Sequence, residues 1–215
     1  MNDYQQSIDS IKDIRQMMER SSRFISLSGW SGIFAGISAL TGAWFANTNI
    51  EKNGKSLLLY NYREIENGVF DVRTFINSKL FFIAAITFIA AFFFAFLFTY
   101  LRGKKTGVPI WGVASRRVVI NVLGPMVAGG FFLLRMIQMG IYGLIAPGCL
   151  LFYGLALVNG SKYTLGEVRY LGYANIALGI INCWYISYGL YFWATGFGLF
   201  HIIYGICMWY KYERS

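Results

Sequence analysis

The most constraining feature of this sequence is a run of 22 residues, 80–101, that consists almost entirely of Phe, Ala, Ile and Leu. The run contains no charged residue. A transmembrane α-helix needs about 20 consecutive, mainly apolar residues, because every backbone polar group must be hydrogen-bonded within the segment when lipid surrounds it. The run therefore predicts a helix that crosses a membrane.

Five further apolar runs extend this prediction to most of the chain: residues 24–46, 118–137, 141–158, 171–189 and 191–209. Only 13% of the 215 residues are charged, whereas a soluble domain carries about 25%. The third and fourth runs, and the fifth and sixth, are joined so tightly that each pair predicts a helical hairpin. The predicted fold is all-α: a polytopic integral membrane protein with six transmembrane helices in a domain spanning 24–215, a long outer loop (48–79) and a basic cytoplasmic loop (102–117).

The distribution of Lys and Arg predicts the orientation of these helices. With the N-terminus inside, the inner segments hold 13 of the 19 basic residues and the outer segments hold five, while Arg135 lies within the third run. Basic residues stay on the cytoplasmic side of a membrane. The sequence thus predicts a multi-pass protein of the cytoplasmic (inner) membrane with both termini in the cytoplasm. The net charge of +9 follows from this distribution and predicts contact with membrane lipids rather than nucleic acid.

The N-terminal residues 1–23 are polar and predict a cytoplasmic amphipathic helix. Within 3–23, an apolar stripe at helical spacing is formed by Tyr4, Ile8, Ile11 and Met18. This stripe predicts packing on the protein's own cytoplasmic face, on a second copy in a homo-oligomer, or on a protein partner.

A short motif occurs twice in the chain, with glycine and isoleucine in the order G-x3-I-x2-GI. The first copy starts at Gly29 and the second at Gly172, and the Tyr-Gly pairs at 153–154 and 204–205 also match each other. This pattern suggests three related hairpins. Stripes of small residues mark faces where helices approach closely in lipid, and they predict that the first, fifth and sixth helices pack together.

The sequence contains no motif of a catalytic site, and no Asp or Glu lies inside any of the six runs. Nucleophile elbows, zinc-binding histidine pairs and phosphate-binding loops are all missing. The three cysteines have no metal or redox spacing. We therefore expect neither an enzyme nor a bound cofactor or metal, and we expect no pump built on buried carboxylates.

Three polar residues within the apolar runs are candidate ligand-binding residues: His201, Asn182 and Arg135. An ionisable group at membrane depth is by default a candidate functional site. His201 is the only histidine and lies near mid-depth. Asn182 lies at a similar depth, so we expect the two to hydrogen-bond across the hairpin, in a site or as a purely structural pair. Arg135, near the outer end of its run, is expected to reach the headgroups or to line an outward cavity with Gln138.

Several segments carry a resemblance to a known family: GLIAPGCLLFYGLALVNGSKYT (143–164), RYLGYANIALG (169–179), FWATGFGLFHIIYGICMWYKYE (192–213), ISLSGWSGIFAG and ASRRVVIN. Together they resemble a family of small membrane proteins of Bacteroidota to which no activity is assigned. The resemblance implies a six-helix inner-membrane protein, and it transfers no functional residue.

These features predict a non-enzymatic multi-pass membrane protein with an accessory, regulatory or assembly role. The alternative is a small homo-oligomeric transporter or channel, for which the repeated motif, two proline-broken helices and buried His201 are the motivation.

Overall fold

The computed structural model describes residues 28–66, 77–107 and 111–214, and all regular secondary structure in these ranges is helical. The predicted N-terminal amphipathic helix lies outside the described residues. The helices are α1 (Gly29–Glu66), α2 (Lys79–Thr106), α3 (Val113–Gln138), α4 (Ile145–Gly160), α5 (Val168–Trp184) and α6, which runs continuously through an α-helical segment (Gly189–Trp193), a π-helical segment (Ala194–Leu199) and a second α-helical segment (Phe200–Tyr212). The all-α prediction is confirmed.

Four stretches are long and apolar enough to cross a membrane within the described part of the chain: Lys79–Thr106, Val113–Gln138, Tyr142–Tyr163 and Ile186–Tyr212. They contain α2, α3, α4 and α6, so the prediction of a membrane-embedded protein is confirmed to that extent. Helix α5 has only 17 residues, and α1 becomes polar from Asn47 onward. Helix α1 continues without interruption to Glu66, through the first part of the segment 48–79 predicted as the outer loop.

Helices that are adjacent in sequence form most of the contacts of the bundle, and one contact between distant helices, α1 with α6, joins its two ends. Helix α1 packs between α2 and α6, while α4 packs between α3 and α5. The π-helical segment of α6 lies against α1, and the preceding turn of α6 lies against α4. The two halves of the bundle therefore meet through α6, which places the interior polar residues of α4, α5 and α6 near one another.

The crossing of α1 and α6 depends on two glycines that face each other. A Cβ atom on Gly205 would lie 2.5 Å from the carbonyl oxygen of Gly29 and 2.6 Å from the backbone nitrogen of Ile33. A Cβ on Gly29 would likewise lie 2.5 Å from the oxygen of Gly205. Such backbone contact is how helices associate in lipid, where apolar burial gives no driving force.

The crossing of α4 and α5 has the same geometry. A Cβ on Gly154 would lie 2.7 Å from the oxygen of Gly172 and 2.9 Å from the nitrogen of Ile176. The repeated motif thus occupies equivalent positions in two crossings, each opposite the glycine of a Tyr-Gly pair. The expectation that the first, fifth and sixth helices pack through their glycines is correct for α1 and α6 and wrong for α5, whose glycines meet α4. A stripe of small residues identifies a contact face, but it does not identify the helix that fills it.

Charged residues close the end of the bundle where α1 begins and α6 ends. The carboxylate of Glu213 accepts hydrogen bonds from the backbone N–H of Gly29 at 2.6 Å and from the guanidinium of Arg102 at 2.8 Å. It therefore joins the start of α1, the end of α2 and the end of α6. A carboxylate at a helix N-terminus is also favoured by the helix dipole.

A second carboxylate, Glu167, ties the segment before α5 to the end of α6. It accepts hydrogen bonds from Lys211 and from the hydroxyl of Tyr212. Partial burial raises the pKa of Glu167, but the hydrogen bonds from Lys211, from its own backbone and from Tyr212 outweigh this effect, so the pKa lies below its usual value. The charged form of Glu167 is consequently favoured in the folded protein.

Candidate functional site

The only histidine of the chain is buried inside the bundle and makes two hydrogen bonds. His201 Nδ1 lies 2.9 Å from the carbonyl oxygen of Gly196, and Nε2 lies 2.6 Å from the hydroxyl of Tyr153 on α4. A carbonyl oxygen can only accept, so Nδ1 carries the hydrogen and donates it. Nε2 is then the acceptor and the Tyr153 hydroxyl is the donor. Both ring nitrogens are therefore satisfied by the protein's own groups.

The π-helical segment of α6 explains why a backbone carbonyl is available to this histidine. The N–H of Phe200 bonds to the oxygen of Thr195, five residues earlier, instead of to that of Gly196. The Gly196 carbonyl is released from Phe200 and accepts from His201 instead. Single π-helical turns within α-helices are frequent at functional sites.

Asn175 of α5 also lies against this turn. Its side chain is fully buried, and its amide nitrogen donates to the oxygen of Leu171 at 2.9 Å. The side-chain oxygen points at Gly196, where a Cβ would lie only 2.6 Å away. We call the four residues Tyr153, Asn175, Gly196 and His201 the Gly196 centre. It combines side chains from α4, α5 and α6.

Asn182 does not bond to His201, so the predicted pairing of these two residues is wrong. The amide nitrogen of Asn182 donates to the oxygen of Tyr185 at the end of α5, 3.0 Å away. Its side-chain oxygen is near Gly189, about two turns along α6 from the Gly196 centre. Depth in the membrane was the only basis for the predicted pairing, and depth does not determine which helix face a side chain occupies.

Tyr153 is the functional candidate that sequence reasoning missed. Its ring packs against Phe197, with centroids 4.8 Å apart, and the Phe197 ring is nearly parallel to His201. The one available signal was the Tyr-Gly pair shared by α4 and α6. It indicates that Tyr153 sits beside a close helix crossing, but not that its hydroxyl reaches a histidine 48 residues later.

Arg135 is not part of the Gly196 centre. It lies in the last turn of α3, and its guanidinium is 3.3 Å from the side-chain oxygen of Gln138 on the same exposed helix end. The contact with Gln138 agrees with the predicted proximity of the two residues. The three predicted ligand-binding residues therefore occupy three different places in the bundle.

Three buried polar atoms have no hydrogen-bond partner in the described ranges: the side-chain oxygens of Asn175 and Asn182 and the hydroxyl of Tyr204. Buried polar groups are normally satisfied, by protein or by ordered water. The described residues contain no group of three or more His, Cys, Asp or Glu side chains arranged to hold a metal ion. The Gly196 centre itself consists of an imidazole, a phenolic hydroxyl, a carboxamide and a backbone carbonyl.

Comparisons with protein-family models, with curated proteins and with solved structures found no match. Fold and site together define an α-helical, membrane-embedded protein whose interior holds a histidine–tyrosine hydrogen bond beside a π-helical turn.

Proposed function

We propose that all six helices cross a cytoplasmic-type membrane, with both termini on the cytoplasmic side. The 13-to-5 distribution of basic residues supports this orientation. Helix α5 is short, about 25 Å at 1.5 Å per residue, and its 17 residues lie at the lower end of the roughly 17–25 that a membrane-spanning helix uses. Its two asparagines are fully buried, so they do not meet lipid. These features make α5 compatible with a crossing despite its length.

Cysteine labelling tests this topology most sharply across α5. In a variant without the three native cysteines, we expect Lys162→Cys to react with a membrane-impermeant maleimide only from the cytoplasmic side. Ser187→Cys should react only from the outside, and Thr106→Cys only from the cytoplasm. Labelling of residues 162 and 187 from the same side would show that α5 does not cross the membrane, and labelling of residue 106 from outside would invert the topology.

The proposed role is non-enzymatic: an accessory, regulatory or assembly subunit of the membrane. The observation that carries this proposal is the satisfied state of His201, whose two nitrogens are both occupied within the bundle. A catalytic acid, base or metal ligand needs a nitrogen that can reach a substrate or metal. The geometry of the polar centre therefore favours a structural function for it, and it directs the search for activity to the protein's surfaces and partners.

The apolar stripe in residues 3–23 is the proposed assembly surface. After extraction in a mild detergent, we expect the intact chain to migrate on a native gel as a species larger than the detergent-bound monomer. The pair Ile8→Ala and Ile11→Ala should reduce it to the monomer without changing the melting temperature of the bundle. The matched pair Gln6→Ala and Gln16→Ala, away from the apolar stripe on the predicted helix, should leave the assembly intact. A monomeric parent would exclude the assembly role.

A second candidate function, a small homo-oligomeric transporter or channel, is favoured by the unpaired polar atoms. Asn182, Asn175, the His201–Tyr153 pair and Tyr204 follow one another along α5 and α6, and three of these groups have an unpaired atom. Water molecules that bridge such atoms would form a polar column. Proteoliposomes with an internal pH dye would show proton flux that Asn175→Leu abolishes. A proton flux no faster than the leak of protein-free liposomes would count against conduction of protons.

A further inference from the structure

Helices α2 and α3 each pack mainly on one neighbouring helix of the bundle. Helix α2 packs on α1 and α3 packs on α4, but α2 and α3 do not pack against each other along their length. In each helix, only 6% of the most apolar 18-residue segment is buried inside the bundle. Side chains such as Phe92 and Phe131 are exposed, and a Cβ added at Gly124 would meet no atom within 4 Å. Both helices therefore present broad apolar surfaces to the lipid.

A short segment joins the end of α2 to the start of α3 and limits the distance between them. Thr106 ends α2 and Val113 begins α3, and a chain of this length spans at most about 25 Å. If both helices cross the membrane, these two ends lie at the same headgroup layer. On the proposed topology that layer is cytoplasmic.

Four exposed cations surround this junction: Lys104, Lys105, Arg116 and Arg117. No Asp or Glu occurs anywhere from residue 72 to residue 166, so the neighbouring sequence offers these cations no carboxylate. The ion pairs found in the described ranges use Arg102 and Lys211 instead. Positive charges at the start of α3 also oppose the helix dipole, so an external anion would relieve an unfavourable arrangement.

An exposed tryptophan lies beside these cations. The guanidinium of Arg116 is 5.9 Å from the centre of the Trp111 ring, and 64% of Trp111 is exposed. Tryptophan is enriched at the headgroup level of membranes, because its ring is apolar and its N–H is polar. An exposed tryptophan beside cations is therefore the composition expected of a region at the headgroup level.

We propose that Lys104, Lys105, Trp111, Arg116 and Arg117 bind the headgroup of an anionic phospholipid, whose acyl chains lie along the apolar surfaces of α2 and α3. Charge complementarity selects an anionic headgroup, because the site has four cations and no acid. The apolar surfaces of the two helices select a lipid over a soluble phosphate. This inference rests on the membrane embedding of α2 and α3 and is independent of the proposed assembly role.

Native mass spectrometry of the purified full chain tests the proposal with phosphatidylglycerol and phosphatidylcholine as probes. We expect phosphatidylglycerol to remain bound and to raise the melting temperature more than phosphatidylcholine does. The double variant Arg116→Gln/Arg117→Gln should weaken phosphatidylglycerol binding about tenfold or more. Lys104→Gln/Lys105→Gln should weaken phosphatidylglycerol binding by a similar factor, because these two lysines lie in the last turn of α2. Equal binding of the two lipids by the parent would overturn the proposal.

The matched control removes two positive charges from the opposite side of the membrane. Lys52→Gln/Lys79→Gln should retain phosphatidylglycerol binding, because Lys52 lies in the second half of α1 and Lys79 begins α2, both on the outer side in the proposed topology. Equal weakening by this control would show a general effect of net charge and would overturn the site. Inorganic phosphate at millimolar concentration should not reproduce the stabilisation. If it does, or if a polyglutamate peptide displaces the lipid, the junction is a site for a soluble anion instead.

Discussion

Replacing Gly205 by leucine will destabilise the bundle more than the same replacement at a lipid-facing glycine. The new Cβ would lie 2.5 Å from the carbonyl oxygen of Gly29 and 2.6 Å from the nitrogen of Ile33. Both atoms belong to the backbone of α1, so no side-chain rotation can relieve the overlap. Forcing extra atoms into a packed interior costs about 1–3 kcal/mol and occasionally more. We expect about 3 kcal/mol or more here, because two helix backbones must separate.

The measurement is the unfolding transition of the purified protein in detergent, followed by tryptophan fluorescence. Gly130→Leu on α3 is the matched control, because a Cβ at Gly130 would have no atom within 4 Å. Its free energy of unfolding should lie within about 0.5 kcal/mol of that of the parent, as is normal for surface substitutions. Gly154→Leu should behave like Gly205→Leu, since both glycines occupy equivalent crossings. A Gly205→Leu protein as stable as the parent would show that α1 and α6 do not cross at this glycine.

The hydrogen bond between His201 and Tyr153 will show a measurable coupling energy in a double-mutant cycle. His201→Phe leaves the Tyr153 hydroxyl and the Gly196 oxygen without their partner, while Tyr153→Phe leaves the Nε2 atom unpaired. Leaving a buried polar group unsatisfied costs about 1–3 kcal/mol. Each single variant should therefore lose about that much stability, and the double variant should lose less than the sum of the two.

The difference should be about 0.6–1.7 kcal/mol, the size of hydrogen-bond couplings measured between membrane helices. Tyr191→Phe provides the control, because Tyr191 is exposed and its loss of a hydroxyl should be almost neutral. Strictly additive losses in the cycle would mean that the two side chains do not interact in the folded protein. A coupling energy in this range, together with unchanged assembly of the variants, would support the structural role proposed for His201.

The helical class and the membrane embedding could be predicted from the sequence because they depend on local composition. A run such as 80–101 has no other way to satisfy its backbone and side chains. The continuation of α1 through Glu66 could not be predicted, because residues 48–66 are mostly polar and hydropathy does not report on a helix that extends beyond the apolar run. The orientation and the crossing of α5 remain predictions.

The stripes of small residues show what a local pattern can predict. They correctly marked Gly29 and Gly172 as contact positions, since only a missing side chain permits contact between helix backbones. They could not tell that Gly172 faces Gly154 of α4 rather than a glycine of α6. That choice depends on the rotation and crossing of whole helices, which involve many residues far apart in the chain.

His201 illustrates the same division at the level of a single side chain. That a lone histidine in an apolar helix is buried with a polar partner could be predicted from the sequence, because an unpaired polar group in hydrocarbon is too costly. The identity of the partners, Tyr153 and the Gly196 carbonyl instead of Asn182, depends on how the helices pack. The crossing of α4 beside α6 brings the Tyr153 hydroxyl to His201. The π-helical turn, in which Phe200 bonds to Thr195, frees the Gly196 carbonyl. Neither the crossing nor the turn is encoded in the spacing of residues along one helix.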